Sequence, residues 1–385
     1  MSLSQRHDRP PLRVGVVAHH YPPHVGGLEV VAARVARGLT ERGHEVRVLT
    51  SAAGAPAGRS VEPGGVVVQR LRAGTWLDHV GVPFPLFGPG LLLEAWRLVR
   101  RSDVVQVHDM LYLSSWVAAL VCRLTGTPYV VTQHVWMVDH PSALVRAAQR
   151  LVLRTVGALT LRGARRVLPI GPVIDDWLRR EVPGVRTLVL RDGIDRDLFR
   201  PAREGERDDI RARLGLPVDE VLVLHVGRFV PKKGFDVVAA AEGPDYRLVL
   251  VGGDRPAGLP ESPRRIFLGA LPLSRTAEVY RACDLFVCAS RGEGPMTPME
   301  GLLSGCAVLV NDDPSMRALD LGDGVEELAM SAARLRLRLT ELARNADARA
   351  ALAARGRAVA AGLPTWDDHF EVLEEILVSA TRVER

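Results

Sequence analysis

Residues 280–310 read YRACDLFVCASRGEGPMTPMEGLLSGCAVLV. Leu285 to Ala289 is a short apolar run, suited to a strand buried on both faces. Ser290 to Pro298 is a Gly- and Pro-rich loop. Met299 to Ser304 reads as a short helix, with Pro298 in its first turn and Gly305 as its stop. A strand that runs through a loop into a helix N-terminus is an anion site, because backbone N–H groups and the positive end of the helix dipole converge there. Two carboxylates, Glu293 and Glu300, flank that spot. Carboxylates repel phosphate but accept hydrogen bonds from sugar hydroxyls. The stretch therefore predicts an α/β fold with a nucleotide-sugar site.

Working outward, the second half of the chain repeats this βα rhythm. Val221 to Val226 predicts a strand that ends in Gly227-Arg228-Phe229-Val230-Pro231-Lys232-Lys233-Gly234. A Gly-rich turn at a strand's C-terminal end carries two candidate phosphate ligands here, Arg228 and Lys233; the other reading is a solvated basic turn. Arginine pairs bidentately with phosphate oxygens and lysine acts as a point charge. Arg247 to Val251, Ile266 to Gly269 and Ala307 to Val310 are further strands. The chain from Glu326 onward reads as helical, and Trp366 to Val378 as a last helix.

The first half has the same organisation. Leu12 to Ala18 reads as a strand, Leu28 to about Arg42 as a helix stopped by Gly43, and Glu45 to Thr50 as the next strand, a βαβ unit. Gly26-Gly27 sits at the helix start, where a diphosphate can approach the backbone closely. Val66 to Leu71 is another strand, followed by a long Gly-, Pro- and aromatic-rich loop, Arg72 to Gly90, with two readings: acceptor or membrane contact, or a structural loop. Val104 to Val107 ends in His108-Asp109, and Tyr129 to Thr132 ends in Gln133-His134. Ligands of open parallel sheets bind at strand C-termini, which makes His108, Asp109 and His134 candidates. Ala143 to Leu161 is a basic amphipathic helix bearing Arg146, Arg150 and Arg154. It is either a solvated face over the sheet or a contact with anionic lipid head groups. Arg166 to Ile170 and Arg186 to Leu190 read as strands. The charged segment Pro201 to Asp208 is the expected interdomain linker.

The 385 residues exceed what one core supports, so two domains are expected. A net charge of +5 is small for this length and does not argue for nucleic acid. Cys122, Cys283, Cys288 and Cys306 form no C-x-x-C pair and read as buried free thiols of a reducing cytoplasm. Met1 to Pro11 does not read as a signal peptide, and no apolar run reaches the ~20 residues of a membrane span. No G-x-G-x-x-G and no P-loop motif occurs, which argues against a dehydrogenase or a P-loop enzyme.

Gly26-Gly27, Thr132-Gln133-His134, Asp192-Gly193-Ile194-Asp195, Gly227-Arg228…Lys233-Gly234 and Glu293…Glu300 occur in an order that resembles the GT-B glycosyltransferases of family four, from about Leu12 to Leu377. The resemblance implies two Rossmann-like domains facing across a cleft. The expected division is 1–200 for the acceptor domain and 201–365 for the donor domain, with a helix at 366–385 crossing back. It implies a retaining transfer from a UDP- or GDP-sugar to a hydroxyl acceptor, with no cofactor and no metal. Arg228 and Lys233 would bind the diphosphate, backbone groups at Met296 and Thr297 the phosphate and sugar, and Glu300 the ribose. Gly26 and Gly27 would lie under the diphosphate. His134 and Glu293 would serve the reacting sugar, and His108 and Asp109 the acceptor. The expected setting is cytoplasmic, with peripheral contact at the inner membrane face through the basic helix 143–166.

The chain departs from the family pattern in places. That pattern has seven residues between its two glutamates, whereas Glu293 and Glu300 bracket six, so Gly292 falls where the first glutamate belongs. Asn311-Asp312-Asp313-Pro314-Ser315-Met316 replaces a Gly-rich turn. Arg191-Asp192 replaces the usual asparagine ahead of Gly193. The shortened spacing keeps open a catalytically silent nucleotide-sugar binding subunit. A sugar-nucleotide epimerase is the rival enzyme, and a phosphorylase lacks an identifiable pyridoxal-phosphate lysine.

Overall fold

A computed structural model describes residues 10–24, 26–74, 84–135, 142–292 and 294–382. The chain divides into two compact units, Met1–Asp192 with Asp367–Arg385, and Gly193–Trp366. Each is an α/β unit built on a parallel sheet.

In the first unit the strands are β1 Arg13–Val17, β2 Glu45–Ser51, β3 Gly58–Val61, β4 Val67–Leu71, a short pair β5 Ala73–Gly74 and β6 Leu86–Phe87, then β7 Val104–His108, β8 Tyr129–Gln133 and β9 Arg166–Pro169. The main sheet runs β3-β4-β2-β1-β7-β8-β9, parallel except for the β3–β4 hairpin. Every residue of β7 and β8 is buried, as near-continuous apolar runs in a sheet covered on both faces require. Strand order reverses at β1, between β2 and β7, and the C-terminal ends of strands at such a switch point are where open α/β sheets generally bind ligands.

The second unit holds β10 Val221–Val226, β11 Tyr246–Val251, β12 Arg265–Phe267, β13 Leu285–Cys288, β14 Ala307–Asn311 and β15 Glu326–Leu328. Their order is β12-β11-β10-β13-β14-β15, all parallel. Successive side chains leave a strand on opposite faces. Phe286 and Cys288 accordingly join one core with Leu222, Leu224 and Val308, while Leu285 and Val287 join the other with Val223, Leu248 and Leu309. Strand order reverses between β10 and β13, so the Arg228 turn and the 290–296 loop leave adjacent strands.

Several expectations change. The segment expected to link the domains contains the start of the helix Glu206–Leu214. That helix is fixed by the buried Arg211, which pairs with Asp284 at 2.9 Å and donates to the carbonyls of Ala282, Val218 and Glu220. Glu326–Leu328 is an edge strand rather than helix, and the helices begin at Ala332. Arg186–Leu190 is no regular strand, yet it runs beside β9: Val167 and Thr187 form a parallel bridge, the Val167 N–H donates to the Arg186 carbonyl at 2.8 Å, and the Leu188 and Leu190 N–H groups donate to the Val167 and Pro169 carbonyls at 2.9 Å each. The basic helix is broken by a π turn, running Ala143–Val152, Leu153–Gly157 and Ala158–Gly163. Part of the long loop after β5 lies outside the described residues.

The last helix, Trp366–Thr381, packs from Asp367 onward on the first unit. Arg42 pairs with Asp367, and its guanidinium lies 4.5 Å from the Phe370 ring centre. His44 takes the Leu12 N–H on Nδ1, at 3.1 Å. Its proton is therefore on Nε2, 3.3 Å from Glu374. A Cβ on Gly38 would fall 2.0 Å from the Phe370 ring, so glycine makes room for it. The four cysteines are free and buried. Among the described residues no helix is long and apolar enough to cross a membrane.

Candidate functional site

In the first unit, the strand ends gather a buried polar cluster. His108 Nδ1 lies 2.9 Å from His134 Nε2, and His134 Nδ1 lies 3.9 Å from an Asp192 oxygen. A proton on His134 Nδ1, facing Asp192, leaves Nε2 to accept from His108. Asp109 holds an unusual positive φ of 62°. Its Oδ1 accepts from Gln133 Nε2 at 2.8 Å and from the His134 backbone N–H at 2.9 Å. Asp109 therefore pins the β8 exit that carries His134. His108 Nε2, Asp109 Oδ2 and Asp192 Oδ1 are buried and have no hydrogen-bond partner among the described residues.

Burial sets the protonation of these groups. It lowers His134 to about 3, with His369 adding to the effect, and pushes His108 well down. It raises Asp109 to about 7, against the His134 and Val135 N–H groups, and raises Asp192 to about 7. His108 and Asp109, expected to touch an acceptor, are 0% and 1% exposed and turn to His134 and Gln133 instead. In this conformation they position other groups and have no surface to offer a ligand.

Gly26 and Gly27 differ from each other. A Cβ on Gly26 would fall 2.1 Å from a Glu29 carboxylate oxygen. Glu29 is buried in the first turn of the helix Gly27–Glu41 and bonds His24 at 2.8 Å. A Cβ on Gly27 would meet nothing within 4 Å, so the protein itself does not require glycine there.

In the second unit, Arg228 is exposed and Lys233 half-buried on the turn after β10. The Lys233 stem lies over Gly227, 3.6 Å from where a Cβ would be. Burial raises Cys288 and lowers His225; the Lys233 charge works against the first shift and with the second. The Arg291 N–H donates to the Lys232 carbonyl at 2.9 Å, joining the basic turn to the loop after β13. Gly234, at φ +69°, makes the junction possible: a Cβ there would lie 2.3 Å from the Ala289 carbonyl oxygen.

Met296 caps the helix Thr297–Leu303, which starts two residues earlier than expected. Glu300 sits in its first turn. Burial raises its carboxyl to about 7, with the Tyr280 hydroxyl drawing it back. That hydroxyl also lies 3.2 Å from the Thr297 carbonyl. Glu293 lies outside the described residues. Asp192, beside His134, and Tyr280, beside Glu300, were not among the candidates read from the sequence. Both stand in motifs quoted above, but their partners are set only by folding.

Comparison with known proteins identifies the family. Residues 25–198 match the model of Glycosyltransferase Family 4, and residues 206–357 match Glycosyl transferases group 1. The D-inositol 3-phosphate glycosyltransferase of Mycobacterium avium (strain 104) is 35% identical over 71% of this chain and 69% of its own. The chain belongs to glycosyltransferase family 4. Another relative of this glycosyltransferase, the D-inositol 3-phosphate glycosyltransferase of Mycolicibacterium paratuberculosis, is 32% identical over 75% of this chain and 73% of its own. Its fold is that of the GT-B class. Sucrose-phosphate synthase from Thermosynechococcus elongatus superimposes with a TM-score of 0.75 at 20% identity, over 97% of this chain and 100% of that one. Anabaena HepE (Alr3699), in complex with UDP-glucose, gives 0.74 at 17% identity, over 96% and 100%.

Proposed function

We propose that this family 4 glycosyltransferase moves a sugar from a nucleotide diphosphate sugar, UDP- or GDP-linked, to a hydroxyl acceptor, with retention and without a bound metal ion. The observation that carries the reading is the joined pair of turns in the second unit. Arg228 and Lys233 flank the C-terminal ends of β10 and β13, where the Arg291–Lys232 bond holds the two loops together. They are preorganised cations for a departing diphosphate. Met296 and Thr297 offer first-turn N–H groups that a helix leaves unsatisfied. Glu300 is the ribose ligand. HepE is described with UDP and with UDP-glucose, which favours a uridine nucleotide.

In this reading the bond from the anomeric carbon to the diphosphate breaks. The acceptor oxygen bonds to that carbon on the same face, and the acceptor proton passes to the leaving phosphate oxygen. Arg228 and Lys233 stabilise the charge on the departing group, so no ion is needed for it. His134 is the first unit's candidate for sugar contact, its ring exchanging the His108 hydrogen bond for a sugar hydroxyl. The relatives' name, D-inositol 3-phosphate glycosyltransferase, supports a phosphorylated polyol as acceptor. We assign lipid contact to the 143–163 segment, where Leu144, Leu151 and Leu159 are exposed beside Arg150 and Arg154.

The test is a time course with UDP-glucose and with a GDP-hexose, read by proton NMR, with inositol phosphate as acceptor. Sugar release or transfer with the anomeric configuration kept supports the reading. Nucleotide binding with no sugar release under any condition would favour the silent binding subunit.

A further inference from the structure

Gly292 stands where the family register places a sugar-contacting glutamate, and its φ of +65° suits glycine. A carboxylate is present beside it, from another strand. The Gly292 N–H donates to Asp313 Oδ2 at 3.2 Å, and the Ser315 N–H donates to Asp313 Oδ1 at 2.8 Å. Asp313 follows β14, which pairs in parallel with β13 through Cys288 and Val310. The two loops therefore leave the sheet side by side. They also touch elsewhere: Asn311 Nδ2 donates to the Ser290 carbonyl at 3.3 Å, and a Cβ on Gly294 would come within 2.8 Å of the Ser315 carbonyl oxygen.

We infer that Asp313 is the carboxylate with which this enzyme reads the hydroxyls of the donor sugar, taking the place left open at Gly292. The inference rests on the nucleotide-sugar reading above. Three features support it. An ionised carboxylate offers about four acceptor positions, and the two backbone N–H groups take one on each oxygen. Asp313 thus keeps capacity for two sugar hydroxyls. The same N–H groups fix its orientation, which is the preorganisation a specificity contact needs. Asp313 is half-buried, so one side of it remains accessible. Its neighbour Asp312 is committed elsewhere, to Arg317, which also holds Glu327 at 3.0 Å.

The test separates sugar recognition from nucleotide recognition. Calorimetric binding of UDP and of UDP-glucose is measured for the wild type, Asp313→Asn, Asp313→Ser and Glu293→Gln. Asparagine and serine both cap helices, so the short helix Pro314–Arg317 keeps its cap. The expected result is UDP binding within twofold of wild type in all variants. UDP-glucose binding should weaken at least tenfold in both Asp313 variants and stay unchanged in Glu293→Gln. Three outcomes overturn the inference: wild-type UDP-glucose affinity in the Asp313 variants, equal loss of UDP and UDP-glucose, or a loss that follows Glu293 instead. A wild type that binds neither UDP nor UDP-glucose, yet binds GDP and a GDP-hexose, moves the same comparison to that pair. Failure to bind any of the four removes the nucleotide-sugar reading itself and the inference with it.

Discussion

The Nδ1 of His108 lies 2.9 Å from the Nε2 of His134, and both rings are buried at the C-terminal ends of neighbouring strands. One proton serves this contact, so it survives only while at least one of the two facing nitrogens is bare. Burial keeps His134 neutral down to about 3, while an unfolded histidine protonates near 6.5. Between those values the unfolded chain binds protons that the folded ring refuses, so stability falls as pH falls. At pH 5 the loss is up to about 2 kcal/mol per ring. Asp109 and Asp192 act in the opposite sense: raised to about 7 from 3.8, they take up protons in the fold as pH falls. A variant comparison isolates the histidine contribution. Thermal midpoints measured from pH 7 to pH 5 should fall less steeply for His108→Phe than for wild type, and parallel slopes would contradict the assignment.

Arg228→Ala and Lys233→Ala should each lower donor turnover by 10²- to 10³-fold, equivalent to roughly 2.7–4 kcal/mol of barrier. Both side chains lie on a surface turn, so thermal midpoints should stay within a degree or two of wild type. Near-normal kcat in both variants would refute the phosphate role.

Glu300 predicts a pH-dependent affinity. Ribose hydroxyls donate hydrogen bonds, so they favour the ionised carboxylate, whereas burial holds the carboxyl near 7 against an ordinary 4.5. Binding of UDP-glucose, whose phosphodiesters do not titrate here, should tighten from pH 6 to pH 8 and release a proton. The unliganded fold has the opposite trend. A raised carboxyl contributes stability below 4.5 that is lost as pH rises through 7. Glu300→Gln should flatten both profiles in calorimetry and thermal melts; an unchanged affinity profile would place the ribose elsewhere.

Two glycines make a matched pair. Gly27→Ala should leave the thermal midpoint unchanged or slightly raised, because nothing lies within 4 Å of the added carbon and alanine favours the helix. Turnover should nevertheless drop at least tenfold if a ligand approaches that backbone. Gly234→Ala should destabilise by about 2 kcal/mol or more, since positive φ and a collision with the Ala289 carbonyl act together. A Gly27→Ala enzyme with full activity would remove that residue from the site.

Turnover should be unaffected by EDTA after dialysis against chelator, because Arg228 and Lys233 supply the charge that an ion would otherwise provide. Restoration of a chelated enzyme by magnesium or manganese would show that these side chains are insufficient.

Much of this architecture was legible in the sequence because its signals are local. Continuous apolar runs such as Leu285 to Ala289 marked parallel strands, and the Gly-rich stretch Gly227 to Gly234 marked the turn that follows one. Errors fell where tertiary contacts override local pattern. The charged stretch at 201–208 read as linker, yet Arg211 and Asp284, far apart in the chain, lock the helix that begins within it. His108 and Asp109 read as ligand contacts because ligands of open parallel sheets bind at strand C-termini, but packing turned both inward.

The sequence by itself determined the fold class, the two βα halves, the positions of Arg228, Lys233 and His134 just beyond strand ends and that of Glu300 in a short helix. These depend on residue periodicity and on turn chemistry within a few positions. Only the tertiary structure decided who meets whom. It set His134 between His108 and Asp192, and it set the Asp313 carboxylate against Gly292. Those pairings follow from strand order, which joins distant segments through backbone hydrogen bonds and buried apolar faces, and which no local pattern encodes.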